Sequence, residues 1–128
     1  MAILGIGTDL VEVARIRDML DRHGDRFRSK TFTPDEIAYC DRCADPAIHF
    51  AARFAAKEAV AKALGTGLWA EGVDWKHIEV VRGSNGKPSL CLTEGALAQL
   101  QKLGGTEALI SLSHTSDFAQ AHALIQNT

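Results

Sequence analysis

The chain is poor in the residues that mark special structural classes. Only three of its 128 residues are cysteine, and an odd number argues against a secreted disulfide framework. Cys40 and Cys43 do form a C-x-x-C pair. No second C-x-x-C or nearby C-x-x-H completes a four-ligand zinc set, and no thioredoxin-like βαβ pattern surrounds them. They read as helix residues. The net charge is only −2, so overall charge does not recruit nucleic acid. No stretch approaches the roughly 18 apolar residues of a membrane span, and no charged-then-apolar leader opens the chain. The expectation is a cytoplasmic protein without a membrane partner. With 46% hydrophobic and 23% charged residues, the chain belongs to the globular class. No repeat or low-complexity linker divides it, so residues 1–128 are expected to form one α+β domain.

What is present begins with "GIGTDLVEV" near the start. The run reads as a β-strand over residues 2–11, with Ile3, Gly5, Gly7, Asp9 and Val11 on one face. An ionised carboxylate in such a strand is costly unless it is paired or bound to a metal. The two glycines before Asp9 have two readings. They leave space for a ligand, or they mark a bulge or a close-packed neighbouring strand.

Val13, Ile16, Met19 and Leu20 follow at helical spacing, with Gly24 as a plausible C′ residue. Thr33, Pro34 and Glu36 make a capping box with a proline start, predicting a short helix to about Cys43. Asp45-Pro46 opens the longest helical pattern, which Gly65 ends. Trp75–Val81 and Ser89–Leu92 read as strands, with Asn85-Gly86 suited to a tight hairpin turn. Thr93 can cap another helix that Gly104 and Gly105 end. Two further strands, "EALISLSHTS" and "FAQAHALIQ", complete the chain.

The long helix holds the candidate partners for Asp9. In "RFAAKEAVAKALGTG", Arg53 and Lys57 are four residues apart, as are Glu58 and Lys62, so each pair lies along one flank. Glu before Lys at this spacing suits a surface ion pair worth about 0.3–0.5 kcal/mol. The surrounding alanines, however, let backbone or ligand come close, and Phe54, Ala55 and Val60 should bury the flank of Glu58. A second half-buried carboxylate is what Asp9 needs to form a hard-cation site. Arg53 and Lys62 add cations, read here as lying on the same surface. Carboxylates and cations around a space describe a magnesium and phosphate site better than a core.

"GIGTDLVEVARI", "RFAAKEAVAKALGTG", "NGKP" and "SLSHT" together resemble the four blocks of the short, single-domain 4′-phosphopantetheinyl transferases of the bacterial holo-acyl-carrier-protein synthase class. Order and spacing agree from Gly5 to Ala123. The resemblance implies an antiparallel sheet packed against a long central helix. It also implies an enzyme that moves phosphopantetheine from coenzyme A onto a serine of apo acyl carrier protein, releasing adenosine 3′,5′-bisphosphate, in lipid synthesis. By the same likeness Asp9 and Glu58 hold Mg²⁺ and Lys62 meets charge on the leaving phosphate. Either Glu58 or a water on the metal is the base. Arg53, His114 and Thr115 contact the 3′-phosphate of CoA, and Lys87 and Pro88 lie near the adenine. Members of the class are trimers with sites shared between chains.

Two departures stand out. Val11 occupies the position where the longer relatives carry a further acidic ligand, so water must complete the metal shell. Ala52 replaces a glycine found in many relatives.

Residues 15–30 hold five arginines and a lysine against three aspartates. Such a run is usually a solvated face, but a basic helix would also steer an acidic carrier protein. Arg15 and Arg22, seven apart, are the docking candidates, with Arg17 and Arg26 behind them. His23, His49, His77 and His122 are given no role. Two rival readings are a module that binds CoA or a carrier protein without catalysis, and a metal-dependent phosphohydrolase. Intact Asp9, Glu58 and Lys62 disfavour the first, and the basic helix disfavours the second.

Overall fold

A computed structural model describes residues 1–68 and 72–128. Its centre is the alanine-rich helix α3, Pro46–Leu64, in which fourteen of nineteen residues are buried. A helix apolar on nearly all sides must be surrounded, and α3 is. A three-stranded antiparallel sheet of order β1-β5-β4 packs on one side, formed by Ala2–Glu12 (β1), Glu107–His114 (β4) and Phe118–Asn127 (β5). Helices α1 (Val13–Thr31) and α2 (Pro34–Asp41) and the separate ribbon β2–β3 (Ile78–Arg82 and Pro88–Leu92) close the other sides. Helix α4, Glu94–Lys102, covers its C-terminal end. The expected α+β architecture around a long central helix is borne out.

The glycines of β1 are decided by packing. A Cβ on Gly5 would lie 2.0 Å from the carbonyl oxygen of Ala63, and one on Gly7 would lie 2.0 Å from that of Ala59. Sheet and helix backbones touch there, so the glycines admit α3 rather than a ligand. The bulge reading also holds in part. The β1–β5 register shifts between Ile3 and Gly5, which turns Ile3 outward and leaves Gly5, Gly7, Asp9 and Val11 facing the helix.

Other expectations need correction. Helix α1 does not end at Gly24 but kinks there, at φ 42° and ψ −120°, and runs to Thr31. Beyond the kink Phe27 and Thr31 are buried, and Phe32 follows them into the core, so tertiary burial outweighs the stop signal. Trp75–His77 forms one 3₁₀ turn before β2 rather than the start of a strand, held by Asp74 N–H donating to His77 Nδ1. The β2–β3 connection spans residues 83–87, with Gly86 at φ 79°, so it is longer than a two-residue turn. The capping box at Thr33 and Glu36 and the left-handed Gly65 after α3 are as predicted.

Lys57 shares no exposed flank with Arg53. It is fully buried, with Nζ 2.7 Å from Glu36 Oε1, and donates to the carbonyls of Trp75 and Ile78. Glu36 also accepts from Thr33 N–H and Val80 N–H. Every group of the pair is thus satisfied, the condition under which a buried ion pair is tolerated. Cys40 is buried and its thiol is pushed up to about 12 by burial, which suits an inert core residue.

Candidate active site

The strand and helix deliver three predicted residues to one corner. Asp9 and Glu58 are both partly buried. Burial, and then the negative charge of Asp9, raise the Glu58 carboxyl above its ordinary value, while Lys62 and Arg15 oppose this. Lys62 reaches across from α3 and donates to the Thr8 carbonyl and to Asp9 Oδ1, each at 3.0 Å. Two neighbouring carboxylates, one paired with a half-exposed lysine, form an oxygen-donor pair that suits a magnesium ion with water and phosphate in its remaining positions. Among the described residues no group of three or more acidic, histidine or cysteine side chains could hold a metal. A metal here would rest on these two.

A groove of about 400 Å³ opens beside Glu58. Phe27, Phe54, Trp75 and Met19 form apolar walls, and Arg15, His23, Arg26 and Lys30 line its rim. The Arg15 guanidinium lies 5.4 Å from the centroid of the Phe54 ring. Arg22 does not line the groove. It pairs with Asp18 one turn back, on an exposed flank, and Arg17 pairs with Asp45.

The other predicted residues gather elsewhere. Arg53 is 3% exposed and lies 4.3 Å over the Tyr39 ring, and its Nε has no hydrogen-bond partner. It lines a second groove, of about 270 Å³, with His49, Arg82, Gly86, Pro88, Leu112 and His114. His114 arrives on the inward alternation of β4, ring to ring with His49 at 5.7 Å. Lys87 and Thr115 are near in sequence but do not line this groove. The Thr115 hydroxyl accepts from Asp117 and Phe118 N–H groups.

The two grooves have no lining residue in common. Arg53 and Glu58 are separated by about 140° around α3 and about 7.5 Å along it. Arg53 and Lys62, nine residues apart, face opposite ways, at about 180°. The expectation that these cations share a surface is therefore overturned. Helical spacing carries that signal, and it was available in the sequence.

Comparison with known proteins decides the family. Residues 5–121 match the model of the 4′-phosphopantetheinyl transferase superfamily. The chain belongs to this superfamily. A holo-[acyl-carrier-protein] synthase of Brucella ovis is 50% identical over 125 residues, covering 96% of this chain and 92% of that protein. The crystal structure of the Neisseria meningitidis holo-[acyl-carrier-protein] synthase superposes with a TM-score of 0.90 at 32% identity, covering 98% of this chain and all of that one. The Helicobacter pylori enzyme in complex with coenzyme A gives a TM-score of 0.83 at 26% identity, covering 94% and 99%. The expected transferase class and its fold are borne out together.

Proposed function

We propose that this transferase works through a composite site, in which the acidic corner of one copy meets the basic groove of another in a homotrimer. The activity is transfer of 4′-phosphopantetheine from coenzyme A to a serine of apo acyl carrier protein, with release of adenosine 3′,5′-bisphosphate. The carrying observation is that Lys62 pairs with Asp9 beside Glu58 at one corner of α3, while Arg53, His49 and His114 line a groove that includes none of those three. A second copy would reunite the two halves.

The molecule also offers a surface for that copy. Ile3, Ile6, Leu10, Leu109 and Phe118 are exposed large apolar residues, all on the outer face of the β1-β5-β4 sheet by register. A groove of about 530 Å³ runs along this face between Ile6, Leu109 and Leu124. An apolar face of this extent on a small protein is the mark of an interface. The trimeric stoichiometry itself follows the family resemblance.

Within the site, Asp9 and Glu58 are the residues that would hold Mg²⁺. When bound, the ion offsets the charge of the CoA pyrophosphate and orients it. Glu58 is the carboxylate that lines the apolar-walled groove, so it is the protein's own group able to take the serine proton. Lys62, held against Asp9, stands where charge builds on the leaving phosphate. The Phe27–Phe54–Trp75 wall keeps water from the reacting phosphate. Arg15, on the same rim, meets an acidic carrier protein and guides its serine toward Glu58. Among the described residues no helix is long and apolar enough to cross a membrane, consistent with a reaction carried out in the cytoplasm.

The direct test mixes the protein with CoA, Mg²⁺ and an apo acyl carrier protein and follows the carrier's intact mass. A gain of one phosphopantetheine that EDTA prevents is the expected result. Gain that persists in EDTA would overturn the metal assignment, and CoA consumed without gain would point to hydrolysis.

A further inference from the structure

Among the described residues, Lys57 and Glu36 form an ion pair with both side chains fully enclosed, and the chemistry of the site uses neither. Their position in the fold gives them a task. The β2–β3 ribbon has two strands and is not part of the three-stranded sheet, and a lone two-stranded ribbon is marginal in water. In an antiparallel pair, alternate residues turn both backbone groups away from the partner strand. On β2 these include Ile78 and Val80. The Ile78 carbonyl accepts from Lys57 Nζ, and the Val80 N–H donates to Glu36 Oε2 at 2.9 Å. The pair stands where a third strand would, and satisfies the free edge with two side chains. Lys57 also donates to the Trp75 carbonyl at 3.0 Å, and Glu36 Oε1 accepts from Thr33 N–H at 2.9 Å. One ion pair thus ties the start of α2, the middle of α3, the 3₁₀ turn and β2 together.

The connection to the site runs through Trp75. Its ring lies 4.8 Å from the Phe54 ring, at 31°, and both rings wall the groove beside Glu58. Phe54 is carried by α3 itself. Trp75 arrives from the ribbon side, on a turn of only three residues. Lys57 holds the backbone of that turn to the helix that carries Glu58, the next residue in the chain. A buried ion pair is weak evidence of stability, since well-packed apolar residues often serve as well. What apolar residues lack is directional contacts, and these fix where the turn sits on the helix.

We propose that Lys57 and Glu36 are positioning residues for the transfer reaction: they dock the free edge of the β2–β3 ribbon onto α3 and so hold the Trp75–Phe54 wall in place beside Glu58. The proposal rests on the reading that transfer takes place in this groove. Sequence reading placed Lys57 only on a flank with Arg53, and Glu36 only in a capping box.

The test is a double-mutant cycle on transfer by the assembled protein, with CoA, Mg²⁺ and apo acyl carrier protein, at a temperature where circular dichroism shows each variant folded. Glu36→Gln/Lys57→Met removes both charges together, so no unpaired charge is left buried. Its kcat should fall on the order of tenfold to a hundredfold, the scale of a misplacement of about 1 Å, with the CoA KM changed by no more than about twofold. Glu36→Asp keeps both charges and draws the carboxylate back by one methylene. It should show a smaller loss of the same kind, and it carries the test should the double variant not fold. Trp75→Leu should lower kcat by itself. Added to either pair variant it should cause little further loss, because groups that act through one another are not additive. Unchanged kcat in the folded pair variants, with Trp75→Leu impaired, would leave the groove reading standing and overturn this proposal. Losses that multiply would mean that the pair acts by another route or by softening the fold, and would overturn it as well. An unaffected Trp75→Leu would remove the wall from the reaction, and both readings would fall.

Discussion

The corner of Asp9, Glu58 and Lys62 and the groove around Arg53, on different sides of α3, are opposite in chemistry. The corner sets two carboxylates against one lysine, with Glu58 raised by burial and by Asp9, and with Lys62 paired to Asp9. The other combines guanidiniums and imidazoles, with His49 lowered by burial and by its cationic neighbours. The first suits a cation and the phosphates bound to it, and the second suits a phosphate. A substrate with a pyrophosphate at one end of its nucleotide and a phosphomonoester at the other satisfies both at once. Within one copy Arg53 and Glu58 lie about 140° apart around α3, which is why the proposed site draws its halves from two copies.

The largest expected effect comes from breaking the acidic corner alone. Asp9→Ala or Glu58→Ala should lower transfer by on the order of a hundredfold to a thousandfold or more, as for loss of a major electrostatic contributor. Binding of adenosine 3′,5′-bisphosphate and the oligomeric state should survive. Near-normal turnover at saturating Mg²⁺ would remove these residues from the metal site.

Next in size is the scaffold joining the two regions. Gly7→Ala forces a Cβ onto the Ala59 carbonyl, and overpacking of this kind costs about 1–3 kcal/mol. Thermal unfolding should move down by about 3–5 °C per kcal/mol lost. An unchanged midpoint would mean that the strand and helix can separate without cost.

Ile6→Asp on the outer sheet face should disperse the oligomer in ultracentrifugation while leaving the far-ultraviolet circular dichroism of the fold in place, since Ile6 is already exposed. A dispersed protein with undiminished activity would show that one copy suffices.

The smallest effect is expected at the rim. Arg15→Glu should raise the carrier-protein KM about tenfold at low salt, less at high salt, with the CoA KM little changed. Equal losses for both substrates would argue against docking through α1.

The sequence made the elements more legible than the reasons for them. The capping box at Thr33 and Glu36, the long alanine helix and the final two strands follow from local chemistry, and the structure has them where expected. Gly24 carries the same local signal as a helix stop, yet Phe27 and Phe32 beyond it belong to the core and draw the helix onward. Gly5 and Gly7 left space, a bulge and a neighbouring strand all open, because their main cause lies fifty residues away in the backbone of α3. Lys57 was placed only on a flank with Arg53, because its partner, Glu36, is on another helix. The corner of Asp9, Glu58 and Lys62 was readable because a costly charge in a strand demands a partner. Arg82 was not, because its position depends on how the β2–β3 ribbon folds over Tyr39.

The composite site is tested most directly by complementation. Glu58→Ala and Arg53→Met chains, each expected to lose most of its transfer alone, are co-expressed with different tags and the mixed oligomer is purified. If each site joins the corner of one copy to the groove of another, random mixing leaves up to about a quarter of the sites intact. Transfer should return to that order. A mixed oligomer as inactive as either parent would mean that each chain uses its own two halves, and the composite site would be wrong.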